Sequence, residues 1–207
     1  MKVVIIDYGL GNIKSIANAL KENQIAYKIS DHPNEIENSD LAILPGVGSF
    51  PAAMNLLNKK KLINPIKRYA KSNRPLIGIC LGMQILFEKG LEFEETQGLG
   101  LIKGEVVKIP IYKDSFEKIP NIGWKKIKIN DKQNVLLSGI NEADTFYFTH
   151  SYHCVPKDKE LIQMITPYAS TEICASVRSG NIFGFQFHPE KSQNAGLQLL
   201  KNFCTLT

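Results

Sequence analysis

The 207-residue sequence lacks any apolar run approaching the ~20 residues that span a bilayer. Its first apolar run, Val3–Ile6, stops at Asp7, far too short for the hydrophobic region of a secretory signal. The expectation is a cytoplasmic protein with no membrane partner. Cysteine is sparse: Cys80, Cys154, Cys174 and Cys204 are widely separated and include no C-x-x-C pair. That excludes a disulfide framework and gives no support to a zinc ribbon or redox dithiol, so the question becomes whether any single thiol is reactive. Tryptophan occurs once, and there is no internal repeat, low-complexity tract or Pro/Gly/Ser linker. One domain over residues 1–207 is expected, long enough for a core that needs no staples.

A strong charge of one sign is also missing. With 25 Lys+Arg against 20 Asp+Glu the net charge is +5, and the basic residues are dispersed apart from Lys59-Lys60-Lys61 and the Lys125/Lys126/Lys128 group. No aromatic-interleaved recognition motif accompanies them, so a solvated face is expected and nucleic acid is not. The second group remains a candidate surface for an acidic protein partner.

What is present is a change of texture along the chain. Up to Gly90, β-branched runs at Val3–Ile6, Ile25–Ile29, Leu41–Leu44 and Leu76–Ile79 alternate with helical patterns at about Ile13–Glu22, Ala52–Asn58 and Leu62–Ser72, and another helix follows Cys80. Near-continuous apolar strands separated by helices imply a parallel sheet covered on both faces. Beyond Gly90, shorter strands at Leu101–Ile109, Trp124–Ile129, Thr145–Thr149, Leu161–Ile165, Cys174–Val177 and Ile182–Phe187 imply an added antiparallel section. A final helix carries Leu197, Leu200 and Cys204 at helical spacing, with Ser192 as its N-cap. The predicted fold is a three-layer α/β domain.

Three strand ends carry candidate chemistry. In Pro75-Leu-Ile-Gly-Ile-Cys-Leu-Gly-Met-Gln84 an apolar strand runs into Gly78-x-Cys80-x-Gly82, with a helical pattern behind it. This is the cysteine counterpart of the G-x-S-x-G elbow, where glycines make room for a nucleophile on a sharp strand-to-helix turn. A helix N-terminus would favour the thiolate, and the Leu81 N–H would be placed for an oxyanion. Alone, the same residues also suit a buried cysteine between packing glycines. In Phe183-Gly-Phe-Gln-Phe-His188-Pro-Glu190 a strand delivers a histidine that proline then isolates, and a carboxylate two residues on can orient the imidazole. A base with its orienter is what a cysteine nucleophile requires. Leu44-Pro45-Gly46-Val47-Gly48-Ser49-Phe50 could offer free backbone N–H groups, although every such fold needs tight turns of this kind.

Other motifs are weaker. Asp7-Tyr8-Gly9-Leu10-Gly11-Asn12 opens like a dinucleotide fingerprint, but Lys14 stands where its third glycine belongs, and no P-loop motif exists. His150-Ser151-Tyr152-His153-Cys154 follows a strand, on which the two histidines would face opposite sides, and no ligand set backs them. No metal and no cofactor are expected.

Taken together, Gly78-Ile-Cys-Leu-Gly-Met-Gln84, Pro45-Gly-Val-Gly48 and Phe187-His-Pro-Glu-Lys191 resemble the class I (triad) glutamine amidotransferases. The opening Asp7-Tyr-Gly-Leu-Gly-Asn12 and the Pro45 loop are similar to the subfamily of glutaminase subunits of imidazole glycerol phosphate synthase. The resemblance implies a glutaminase that yields glutamate and ammonia, with Cys80 as nucleophile and His188, oriented by Glu190, managing the proton. It implies an oxyanion held at Leu81 and the Val47-Gly48 loop, and glutamine contacts at Gln84, Ser151 and Tyr152. It also implies a heterodimer in which ammonia passes to a (β/α)8-barrel cyclase subunit for histidine biosynthesis, with Asn12, Trp124 and Lys191 toward that partner.

One departure stands out. The subfamily usually reads Asn after the Gly-Trp pair, and this chain reads Lys125 in Pro120-Asn-Ile-Gly-Trp-Lys125. That leaves open a paralogue feeding ammonia to a cell-surface sugar synthase. A free-standing hydrolase and a catalytically silent regulatory subunit are further alternatives, the last disfavoured because Cys80, His188 and Glu190 are all present.

Overall fold

The computed structural model describes residues 1–111, 117–130 and 135–206. Its first half alternates β1 (Val3–Ile6), α1 (Ile13–Glu22), β2 (Tyr27–Ser30), α2 (Pro33–Glu37), β3 (Leu41–Leu44), α3 (Phe50–Lys59), α4 (Ile63–Lys71) and β4 (Leu76–Ile79). Every residue of β1, β3 and β4 is buried, which is why these strands are apolar at consecutive positions rather than alternate ones.

The second half holds α5 (Leu81–Gln84), β5 (Phe87–Gly90), β6 (Thr96–Gln97), β7 (Ile102–Lys108), β8 (Asn121–Lys126), β9 (Lys128–Ile129), β10 (Thr145–His150), β11 (Tyr152–Pro156), β12 (Ile162–Tyr168), β13 (Thr171–Ser179), β14 (Ile182–Phe185) and α6 (Gln193–Cys204). One large sheet runs β2-β1-β3-β4-β14-β13-β12-β9. It is parallel from β2 to β14 and antiparallel from β14 to β9. Two smaller sheets, β10-β8 and β11-β7-β5-β6, lie outside it.

The pleat sorts the side chains into two cores. Val3, Ile5, Ile43, Ile77 and Phe185 pack with α1, α6 and the β10 residues Phe146 and Phe148. Val4, Ile6, Leu44 and Leu76 pack with α3, α4 and β5. Each fully buried side chain of this kind is worth about 1.5–3 kcal/mol, so the three layers are held mainly by these two faces.

Several boundaries differ from the sequence expectations. The helix after Cys80 is a single turn. The carbonyls of Leu86 and Phe87, which would continue it, instead accept from Leu101, Ile102 and Gly100, and the chain turns into β5. Helix α2 and strands β5, β6 and β11 were not foreseen, β2 begins at Tyr27, and β14 ends at Phe185. Ser192 sits at the N-cap of α6 without capping it: its Oγ accepts from Tyr147 N at 3.0 Å and donates to His188 O at 2.6 Å. It therefore ties the histidine loop to β10.

Candidate active site

Strands β4 and β14 are adjacent and parallel, with Ile79 beside Phe185. Residues just beyond their C-terminal ends therefore share one edge of the sheet, which is how Cys80 and His188 come together from distant parts of the sequence. Cys80 turns the chain with φ +54° and ψ −111°, and its N–H donates to Phe185 O at 2.7 Å. The turn closes only over glycine: a Cβ on Gly82 would stand 1.9 Å from Leu44 O, and one on Gly78 would stand 2.5 Å from Gly82 O.

His188 Nδ1 lies 2.8 Å from Glu190 Oε1, and the two side chains are 2% and 0% exposed. A carboxylate accepts, so Nδ1 is the donor and Nε2 is left for Cys80. Burial alone would push the imidazole pKa down. The hydrogen-bonding and charge of Cys80 and Glu190 outweigh it and raise the pKa to about 10. Asn12 Nδ2 also donates to Glu190 Oε1 at 3.1 Å, fixing the carboxylate from the loop after β1.

A cavity of about 310 Å³ opens beside these groups, lined by Val47, Gly48, Cys80, Leu81, Gln84, Glu92, Ser151, Tyr152 and His188 among others. Gly46 lets the Pro45 loop lie on the elbow, since a Cβ there would be 2.6 Å from Gly82 N, while Val47 and Gly48 stay exposed at the rim. A larger cleft of about 550 Å³ near Lys2, Tyr27 and Glu35 is lined by no cysteine or histidine and lies at the far edge of the sheet. Among the described residues no group of three or more His, Cys, Asp or Glu could hold a metal.

Residues 4–206 match the family model described as glutamine amidotransferase class-I. The chain belongs to this family. It is 46% identical over 202 residues to imidazole glycerol phosphate synthase subunit HisH of Lactococcus lactis, covering 98% of this chain and 97% of the relative. It is 41% identical over 204 residues to the subunit of the same name in Aquifex aeolicus, covering 98% and 96%. Among solved structures, PurLQS from Thermotoga maritima aligns with a TM-score of 0.72 at 20% identity over 98% of this chain and 97% of that one. A crystal structure titled glutamine amidotransferase aligns with a TM-score of 0.69 at 17% identity, covering 97% and 98%. These two likenesses speak to the amidotransferase fold.

Every triad and pocket residue singled out from the sequence of this amidotransferase borders the same region. The remaining three are arranged otherwise. Trp124 is exposed and packs edge-on to Tyr147 at 5.9 Å, and Lys191 Nζ lies 5.5 Å from the centroid of the same ring. Asn12 instead contacts Glu190. On β8 the exposed positions are Ile122, Trp124 and Lys126, so Lys125 alternates to the other side, where its Nζ lies 4.8 Å from the Tyr168 ring centroid. No helix among the described residues is long and apolar enough to cross a membrane.

Sequence reasoning missed Glu92, His150 and Gln186. Glu92 lines the cavity and accepts from Phe50 N at 2.7 Å, but nothing in Glu92-Phe-Glu-Glu95 distinguishes it from a surface acid. His150 and His153 lie on consecutive strands, β10 and β11, rather than along one. Burial holds the His150 imidazole pKa down at about 4. Gln186 is fully buried against Cys80 just beyond β14, and a polar residue between Phe185 and Phe187 is the one hint in the sequence.

Proposed function

We infer that the protein is the glutaminase subunit of an imidazole glycerol phosphate synthase, hydrolysing glutamine to glutamate and ammonia. The observation that carries this reading is the meeting of Cys80 and His188 on one small cavity, with Glu190 hydrogen-bonded behind the histidine, in a chain so similar to subunits of that name. Cys80 Sγ attacks the carboxamide carbon of glutamine and a C–S bond forms. The oxygen that takes up the electron pair is met by the Leu81 N–H and by the backbone at Val47-Gly48. His188 delivers its proton to the departing nitrogen, the C–N bond breaks and ammonia leaves. Water then attacks the thioester while His188 takes its proton, and glutamate departs as the C–S bond breaks. Glu190, steadied by Asn12, holds the ring in the orientation both steps need. Gln84, Ser151 and Tyr152 position the substrate, and the Glu92 carboxylate suits its ammonium group.

Ammonia then passes to a (β/α)8-barrel cyclase subunit, in a cytoplasmic heterodimer serving histidine biosynthesis. The exposed Trp124–Tyr147–Lys191 group is the surface for that partner. Residues 1–207 act as one amidotransferase domain. Lys125 rests on Tyr168 away from the Trp124 side, which supports reading it as a tolerated variation rather than a mark of a paralogous partner. The deciding measurement is glutamate production with and without the same organism's cyclase and its nucleotide ligand. A large rise only when both are present is expected; activity indifferent to them would overturn the assignment to this synthase.

A further inference from the structure

Between β8 and the elbow, the side chains of Asn121, His150, Gln84 and Gln186 form a continuous hydrogen-bonded chain through the Tyr152 carbonyl. The direction of every bond follows from that carbonyl, because a backbone oxygen can only accept. His150 Nδ1 lies 2.8 Å from Tyr152 O and therefore carries the ring proton. Its Nε2 then accepts from Asn121 Nδ2 at 3.0 Å. Gln84 reaches the same carbonyl at 3.0 Å, so the atom there must be its amide nitrogen. That nitrogen also stands 3.1 Å from the Gln186 amide, which must present its oxygen. The remaining end of Gln186, Nε2, faces Cys80 Sγ at 3.9 Å, a long contact that the size of sulfur accommodates.

We propose that Gln186 is a further catalytic residue, whose amide N–H donates to Cys80 Sγ and stabilises the thiolate that attacks the substrate. A donor aimed at a buried anion favours its charged form. The need is specific to this elbow, because a helix of one turn behind Cys80 has little dipole to offer. Among the described residues, the titratable groups that feel the charge of the sulfur are His188, whose proton is committed to the reaction, and Tyr8 and Cys154, both pushed up by burial and so neutral. The Tyr8 hydroxyl has no hydrogen-bond partner among the described residues. Gln186, fully buried and held by Gln84, is the fixed neutral donor.

This role rests on Cys80 being the nucleophile, so the test reads the sulfur directly. Alkylation by iodoacetamide is followed against pH in the full-length chain without glutamine and assigned to Cys80 by peptide mass. In Gln186→Met, which keeps length and loses the donor, the pH of half-maximal reactivity moves up by about one unit. In Gln186→Glu, which keeps an acceptor for Gln84 but sets a carboxylate against sulfur, it moves further. With the cyclase present, kcat falls about tenfold while KM for glutamine changes less. Gln186→Asn, which withdraws the amide by one methylene, carries the same prediction if either variant fails to fold. A wild-type reactivity profile in any of these that folds would overturn the proposal. Failure of the nucleophile assignment would show separately, as hydrolysis retained in Cys80→Ala.

Discussion

Two buried histidines line one cavity, and their surroundings drive them in opposite directions. On the β4–β14 side, His188 gives Nδ1–H to Glu190 and faces Cys80 with Nε2, and its pKa rises to about 10. On the β8–β10 side, His150 gives Nδ1–H to a neutral carbonyl and takes a bond from a neutral amide, and its pKa falls to about 4. Burial penalises the charged form of both. What differs is whether an anionic group stands within reach, and that decides which ring moves protons and which one only holds its neighbours in place.

The comparison is broken most completely by removing the sulfur. Cys80→Ala should lower glutamine hydrolysis by roughly 10⁴-fold or more while leaving cyclase binding in place, as read by glutamate release and by co-elution. Near-wild-type turnover would remove the β4–β14 side from the chemistry. A smaller loss, about 10²–10⁴-fold in kcat, is expected for Glu190→Gln, because the ring loses both its charge partner and its enforced tautomer. KM should change little, and a kcat within threefold of wild type would contradict the orienting role.

The smallest effect belongs to the other side and appears in stability. His150 has an ordinary pKa of 6.5 and a folded-state value of about 4. Its contribution is therefore fully present above 6.5 and is lost as pH falls through 4, a change of about 3 kcal/mol. His188 has the opposite sign: its contribution is present below 6.5 and is lost as pH rises through about 10. Denaturant midpoints between pH 7 and 4 should fall more steeply in wild type than in His150→Gln. Part of the slope should survive through His153, whose pKa burial also lowers. Parallel slopes would mean that the β8–β10 ring is not held neutral by its site.

Legibility in the sequence divides along the same lines. Strands β1, β3 and β4 could be read to the residue because both their faces are buried, which makes each apolar at every position between polar, proline or glycine-rich flanks. Strands β5, β6 and β11 were hidden, because they depend on pairing with β7 and with each other and carry no continuous apolar pattern. The helix expected after Cys80 is present but stays one turn long for a related reason: remote segments hold the carbonyls that would extend it. In the site, Cys80, His188 and Glu190 announce themselves at strand ends with glycine or proline beside them. Gln186 does not, since a strand position beside Phe185 and Phe187 reads as core. The His150–Asn121 link depends on the register of β10 against β8, which no local pattern encodes.

The φ +54° and ψ −111° of Cys80 bear on how this protein can be lost as well as how it works. Glycine reaches that backbone conformation freely, whereas a residue with a Cβ is strained there by about 1–3 kcal/mol. A Cys80→Gly chain escapes the strain that Cys80→Ala would keep. Selection for a firmer fold and selection for turnover thus pull against each other at one codon. In a lineage supplied with its end product from outside, the nucleophile is a position where losing turnover would also relieve the fold.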